Sequence, residues 1–281
     1  MPIDEGVNVD VQFLIVEVSK QAKASLSYIE KPSSAKLKKI REREDYIDNL
    51  KNTLENKSYY HIHRLAEGDR QINYFKALIT IAANLEIAAN FFENICRQID
   101  YISDLGRLEE YRLRRYYREI LSALEMVYPA LTEQDLHRAQ KICDCEQTID
   151  DMWNDSFATV RKQLRRPKRI DDSLTILFIT RYLERVGDAL QNIGEAILNV
   201  HVGDKMGFRQ FRNLTRALEA QGIDIGIGSV EFKSIMNTRS GTRVAKIVGR
   251  LDGSERALFY KEGTKEKIND EADSLKRWSK V

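Results

Sequence analysis

An internal repeat constrains this chain more than any other feature. Ile176, Ile179, Leu183, Val186, Leu190, Ile193 and Ile197 follow one another at spacings of three and four, which makes one continuous apolar seam on a helix. Shifted back by 98 residues, Leu78, Ile81, Leu85, Ala88, Phe92, Ile95 and Ile99 fall on the same seven positions. The shift equals fourteen heptads, so helical register is kept. Its period is too long for a solenoid. The chain therefore reads as two similar helical bundles.

Beside each seam runs a polar stripe. Glu184, Asp188 and Asn192 stand at i, i+4 and i+8, and 98 residues earlier Glu86, Asn90 and Asn94 take their places. One position past a core residue the helix has turned through about 100°, which sets the stripe on the outer face. A single such stripe reads as a solvated face. Two copies read as oxygen ligands for a hard cation.

The middle helices repeat as well. Glu44 and Asp48 correspond to Glu146 and Asp150 at an offset of 102, the extra four residues fitting a longer turn in the first copy. If middle and motif helices pack antiparallel, each bundle brings acids from two helices together. Such a set can hold Mg, Mn, Fe or Zn as a divalent or iron-type ion, and without an ion its members repel one another.

Of 281 residues 31% are charged and only four are proline, the signature of amphipathic helices up to about residue 200. A formal charge of +2 leaves no global field that asks for nucleic acid. No apolar run is expected to reach bilayer-spanning length. The N-terminus MPIDEGVNVD has no basic or apolar leader, so the expected location is cytoplasmic. Cys96, Cys143 and Cys145 fit a reducing compartment without disulfides, and the CDC at 143–145 reads as half-buried helix thiols rather than a zinc site.

In chain order, the pattern predicts helices over 8–29, 35–64, 71–105, 109–128, 133–164 and 172–200. Ser33 and Ser34 offer a cap to the second helix. Gly106 ends the third and Pro129 the fourth. Thr132, with Asp135 three residues on, offers a variant capping box to the fifth. The expected fold is mainly α, two tandem antiparallel three-helix bundles over 8–106 and 107–202, then a linker or helix over 203–229 and a small α+β module over 230–281.

These residues carry a resemblance. Tyr182-Leu183-Glu184-Arg185-Val186-Gly187-Asp188 with Asn192-Ile193 closely resembles the signature of the phosphate-uptake regulator (PhoU) family, and the likeness extends over about residues 8–200. The resemblance implies a cytoplasmic, metal-binding and often dimeric regulator. It acts by contact with a phosphate ABC transporter and a membrane sensor kinase, repressing the starvation response when phosphate is plentiful. Family metal ligands carry over to Glu184 and Asp188, and to Glu146 and Asp150. In the first repeat Glu86 is kept, but the family's Asp is Asn90, a weaker neutral ligand, and Ile87-Ala88-Ala89 departs from the motif.

Six cations in the nine residues Arg161 to Arg169 read as an exposed helix end, or as a dock for an acidic partner or, peripherally, for the anionic leaflet of a membrane. Tyr59, Tyr60, His61 and His63 read as core and surface residues. No nucleophile arrangement is readable in the helical part.

After Val200 the texture changes, with nine of the fourteen glycines between 203 and 263. Phe208 to Ala220 reads as a helix, VEFKSIMN, RVAKIVGRL and RALFYKEG as three strands of an antiparallel meander, and Glu266 to Lys280 as a helix. Arg239-Ser240-Gly241-Thr242 before Val244, Tyr260-Lys261-Glu262-Gly263, and Glu271 resemble the amino-terminal lobe of aminoglycoside phosphotransferase-like kinases. That likeness implies nucleotide contacts at Ser240, Gly241 and Lys261, with Glu271 pairing the lysine. The alternative is a β-meander add-on. The chain stops at Val281 before any catalytic-loop Asp or Asn, so the expectation is a non-enzyme, with the regulatory part of a phosphotransferase as the alternative.

Overall fold

The computed structural model describes residues 5–164, 170–202, 208–219, 230–237, 243–251 and 254–278. Six long helices come first: α1 (Glu5–Glu30), α2 (Ser34–Arg64), α3 (Gln71–Ile99), α4 (Leu113–Thr132), α5 (Leu136–Gln163) and α6 (Ile170–Val202). The chain divides into two compact units, Met1–Leu198 and Asn199–Val281.

Both predicted seams form cores. All seven seam residues of α3 and all seven of α6 are buried. α1, α2 and α3 pack on one another as the first bundle, and α1 also packs against α4 of the second. That junction is polar at its heart. The Ser25 hydroxyl meets the Tyr117 hydroxyl at 2.6 Å and lies 3.1 Å from the Phe92 carbonyl, while the Cys96 thiol donates to it at 3.4 Å. Buried hydroxyls of this kind must be paired, and their pairing fixes the register between bundles. A second joint runs between α3 and α6, where Asn192 donates to Asn84 at 3.0 Å and Phe91 stacks on Tyr182.

The seam predicts the helices well and their ends less well. Ser33 caps α2 as expected, accepting from the Lys36 N–H. α3 stops at Ile99, six residues before the predicted end, and Leu105–Tyr111 forms a 3-10 turn containing Gly106. α4 begins only at Leu113, because Arg112 takes a left-handed conformation with φ 52°. It then runs through Pro129 to Thr132. A proline there forfeits a single backbone bond in the last turn, and the burial of Ala130 and Leu131 offsets that loss. The cap of α5 is Asp135, which accepts from the Arg138 N–H, and the helix starts at Leu136 rather than Glu133. Thr132 is occupied elsewhere, donating to the Tyr128 carbonyl. The three cysteines are buried rather than half-buried, and burial lifts the Cys96 and Cys145 thiols to about 12. Among the described residues one helix, α3, is long and apolar enough to cross a bilayer by length and composition, contrary to expectation. Its seam is spent on the bundle core instead.

The second unit holds α7 (Phe208–Glu219), a three-stranded antiparallel sheet in the order β1 (Val230–Asn237), β2 (Arg243–Leu251), β3 (Ser254–Glu262), and α8 (Lys265–Trp278). The first two strands coincide with the alternating segments VEFKSIMN and RVAKIVGRL. Met236 pairs with Val244 across a register shift that follows Ser234.

Candidate metal centre

In the second bundle α5 and α6 run antiparallel at very close approach. A Cβ on Gly187 would stand 3.2 Å from the Ile149 side chain, and one on Gly194 would stand 2.4 Å from Cys143 Sγ and 2.9 Å from the Ala139 carbonyl. Two glycines thus let the backbones touch. With Ile149 on Gly187 and Cys143 near Gly194, Asp150 comes level with the stretch between Glu184 and Asp188, and Glu146 lies about one turn further on, near Asp188.

Electrostatics record that convergence. The Glu146 carboxyl is raised above its usual range by burial and then by the charges of Asp150, Asp188 and Glu184. Glu184 is raised by burial and Asp188, against the lowering effect of Arg181 and Arg185. Like charges resist ionising together in one place. Glu184 is only 7% exposed, not on the outer face, because the direction beside the seam points toward α5. Its Oε2 is buried without a hydrogen-bond partner. Two arginines balance the cluster: Arg181 lies 2.6 Å from Glu184 and its guanidinium covers the Trp153 ring, while Arg185 lies 3.0 Å from Asp188.

The first bundle repeats the arrangement with other cations. Glu44 is raised by burial, then by Glu93 and Glu86. Glu86 is raised by burial and by Asp48, and lowered by Lys51 and by a hydrogen bond with Asn90. Asn90 itself accepts from Asn94 at 2.9 Å. Sequence reasoning missed Glu93, which is 5% exposed and held by Arg97 at 2.6 Å and Arg41 at 3.5 Å. Shifting it by the repeat length lands on Gln191, so a residue-by-residue comparison of the two copies would have exposed the extra acid.

Acids of the middle and motif helices thus influence one another within each bundle, Glu146 and Asp150 with Glu184 and Asp188, and Glu44 and Asp48 with Glu86, whose hydrogen-bond partner is Asn90. Among the described residues, no group of three His, Cys, Asp or Glu side chains stands close enough to hold an ion in this arrangement. The donor set nonetheless suits a hard cation: it is all oxygen, it is half-buried, and one buried oxygen of Glu184 accepts no hydrogen bond, its nearest cation being Arg185 at 4.0 Å. Glu146, Asp150, Glu184 and Asp188 are the residues that would hold it, in competition with Arg181 and Arg185, which pair with Glu184 and Asp188.

Other predicted site residues fare differently. His61 stacks on Phe75 at 4.7 Å between ring centroids. Lys261 does pair with Glu271. Ser240 and Gly241 lie outside the described residues, as do 165–169 of the basic run.

The PhoU domain family model matches residues 14–99 and 113–197, one segment per bundle. The phosphate-specific transport system accessory protein PhoU homolog 1 of Thermotoga maritima is 24% identical over 202 residues, covering 70% of this chain and 86% of that protein. The PhoU homolog of Clostridium acetobutylicum is 22% identical over 209 residues, 66% of this chain and 87% of that protein. The crystal structure of PhoU from Pseudomonas aeruginosa superposes with a TM-score of 0.64 at 18% identity, covering 71% of this chain and 97% of that one. The phosphate transport system regulatory protein PhoU from Streptococcus pneumoniae does so with 0.66 at 16%, covering 72% and 96%. The matched segments end at 197, and the likeness of 230–281 to a kinase lobe finds no support in these comparisons. With both bundles and more than half of its residues matched, the chain belongs to the PhoU domain family.

Proposed function

We propose that this chain is a cytoplasmic accessory regulator of phosphate uptake that works by protein contact, as a homodimer, on a phosphate ABC transporter and a membrane sensor kinase. It represses the starvation response while phosphate is plentiful. The reading is carried by one observation: the family match covers both repeats, and the relatives matched over most of their length are named as phosphate transport accessory proteins. PhoU proteins are regulatory accessory proteins and not enzymes.

Within that role the second bundle holds a divalent or iron-type cation on Glu146, Asp150, Glu184 and Asp188. When bound, the ion supplies positive charge that relieves the mutual repulsion raising Glu146 and Glu184. The first bundle, with Asn90 in place of an acid, holds an ion less tightly. Two measurements test the reading. Elemental analysis of the purified protein should find metal that is lost in Glu184→Ala/Asp188→Ala; equal content in both would sink the metal. A phosphate-starvation reporter should rise in phosphate-replete cells that lack this chain, and an unchanged reporter would sink the regulator.

A further inference from the structure

The cation that balances Glu184 is rooted differently from its counterpart in the first bundle. Arg181, on the motif helix, donates to Glu184 at 2.6 Å, and its guanidinium covers the Trp153 ring at 5.2 Å. Trp153 belongs to the facing helix α5, where it stacks on Phe157 at 5.5 Å. Its indole N–H is buried without a hydrogen-bond partner. Buried indoles ordinarily find an acceptor, so this ring is placed for its face and not for its N–H.

The first bundle is an internal control. Shifted by 102, Trp153 and Phe157 fall on Lys51 and Glu55; shifted by 98, Arg181 falls on Ala83. Lys51 thus stands where Trp153 stands, and its charge favours the ionised form of Glu86, the counterpart of Glu184. Asp48 and Glu55 hold the same ammonium at 3.8 and 3.9 Å. One bundle therefore carries its cation on the middle helix, among three carboxylates. The other lacks that lysine, has an aromatic ring in its place, and brings an arginine from across the cleft.

The two cations differ in what they lose on release. An ammonium is compact and strongly hydrated, whereas a guanidinium is weakly hydrated and stacks on aromatic faces. Lys51 is 22% exposed and tied to two further acids. Arg181 is 39% exposed, and on giving up Glu184 it would keep its seat on Trp153. The carboxylate cannot do without a cation, being buried with one oxygen that accepts no hydrogen bond. A metal ion and the guanidinium thus compete for one acid.

We propose that Arg181, seated on Trp153, is the resident counter-cation of the second cleft, and that a divalent cation binds there only by displacing it from Glu184. Arg181 then sets the cation concentration at which this cleft fills. The first cleft, whose lysine has no such seat, stays neutralised by its own side chain. The inference rests on the metal reading above, but it concerns two residues that are not ligands.

Equilibrium dialysis of the full chain against Mn²⁺ tests it, together with the emission maximum of Trp153. Both are read in a Trp278→Phe parent, where Trp153 is the single indole. Arg181→Gln should bind Mn²⁺ at least about tenfold more tightly than the parent, since a cation beside a carboxylate biases it by about that factor or more. Arg181→Lys should fall between the two, because it keeps the charge but not the stacking plane. Trp153→Lys, which rebuilds the first-bundle arrangement, should bind at least about tenfold more weakly. Mn²⁺ should shift the emission maximum of the parent and leave that of Arg181→Gln in place. In chelator Arg181→Gln should melt below the parent, and saturating Mn²⁺ should reverse the order. The displacement is overturned if Arg181→Gln binds no more tightly than the parent, or if the emission shift survives without Arg181. A parent that binds Mn²⁺ beside an indifferent Arg181→Gln sinks this inference and leaves the metal reading standing. Binding by Arg181→Gln alone upholds the competition and removes the metal from the native chain; binding by neither overturns both.

Discussion

The two bundles place the same number of acids in the same cleft but differ in which ones and in what balances them. The first gathers Glu44, Asp48, Glu86 and Glu93; the second gathers Glu146, Asp150, Glu184 and Asp188. Asn90 removes an acid from the first bundle, and Glu93, where the second has Gln191, restores one. The counter-cations have moved as well. Arg41 and Lys51 reach in from the middle helix of the first bundle, beside Arg97 of its motif helix. In the second, Arg181 and Arg185 both come from the motif helix, and the first has Ala83 and Ile87 at those positions. What the fold retains is a partly buried negative cleft with charge balance, not a fixed list of residues. Burying a carboxylate without such balance is too costly to persist.

The largest expected effect concerns how closely the helices approach. Gly194 has Cys96 as its counterpart in the first bundle. In Gly194→Ala the new methyl would meet Cys143 Sγ and the Ala139 carbonyl, and the backbone oxygen cannot swing aside. We expect a loss of about 3 kcal/mol in urea unfolding, against about 1 kcal/mol for Cys96→Ala. Equal losses would mean that the second bundle is no more tightly closed than the first.

That closeness was hidden in the sequence, whereas much of the rest was legible there. Seam periodicity is a property of one helix, so α3 and α6 could be read directly, and the alternation of β1 and β2 likewise. Helix ends depend on competition between neighbouring caps: Thr132 and Asp135 both qualify, and the carboxylate wins because it reaches the Arg138 N–H while Thr132 bonds back along its own helix. The acids could be paired by repeat arithmetic. Their cations could not, since whether Arg41 or Arg181 reaches a carboxylate depends on helix rotation and side-chain reach. Gly187 stood in the recognised signature, but its reason, contact with Ile149, belongs to a second helix.

A smaller effect tests whether the second cleft is strained by its own charge. The Glu146 carboxyl is raised in the folded protein by burial and its acidic neighbours. A carboxyl raised on folding binds its proton more tightly in the native state than in the unfolded one. Between the unfolded and folded values stability therefore falls as pH rises, and at neutral pH the charge is a net cost. Glu146→Gln should raise Tm at pH 7 in chelator, by about 1–2 °C in a chain of this size. The gain should vanish near pH 4, where the wild-type group is protonated as well. Added Mn²⁺ should stabilise wild type more than the variant. A variant that melts lower than wild type in chelator at pH 7 would show that the cleft's acids are already compensated by Arg181 and Arg185.

The smallest effect restores the acid that the first bundle lacks. In Asn90→Asp the hydrogen bond with Glu86 is replaced by a like charge four residues away on the same helix, and Asp48 and Glu44 stand across the cleft. Such i,i+4 repulsion costs about 0.2–0.5 kcal/mol, so Tm in chelator should fall by less than about 2 °C. Metal reverses the sign, because a fourth family-type ligand position becomes anionic and the ion gains more than the helix loses. Elemental analysis should then find additional metal per chain, and Mn²⁺ should lift Tm above that of wild type under the same conditions. If metal content does not change, Asn90 is not what limits the first cleft. The limit would lie instead with Arg41, Arg97 and Lys51, whose charges already occupy the place an ion would take. Arg97→Ala on the Asn90→Asp background separates the two cases, since removing the cation nearest Glu93 should then admit the metal that the single change did not.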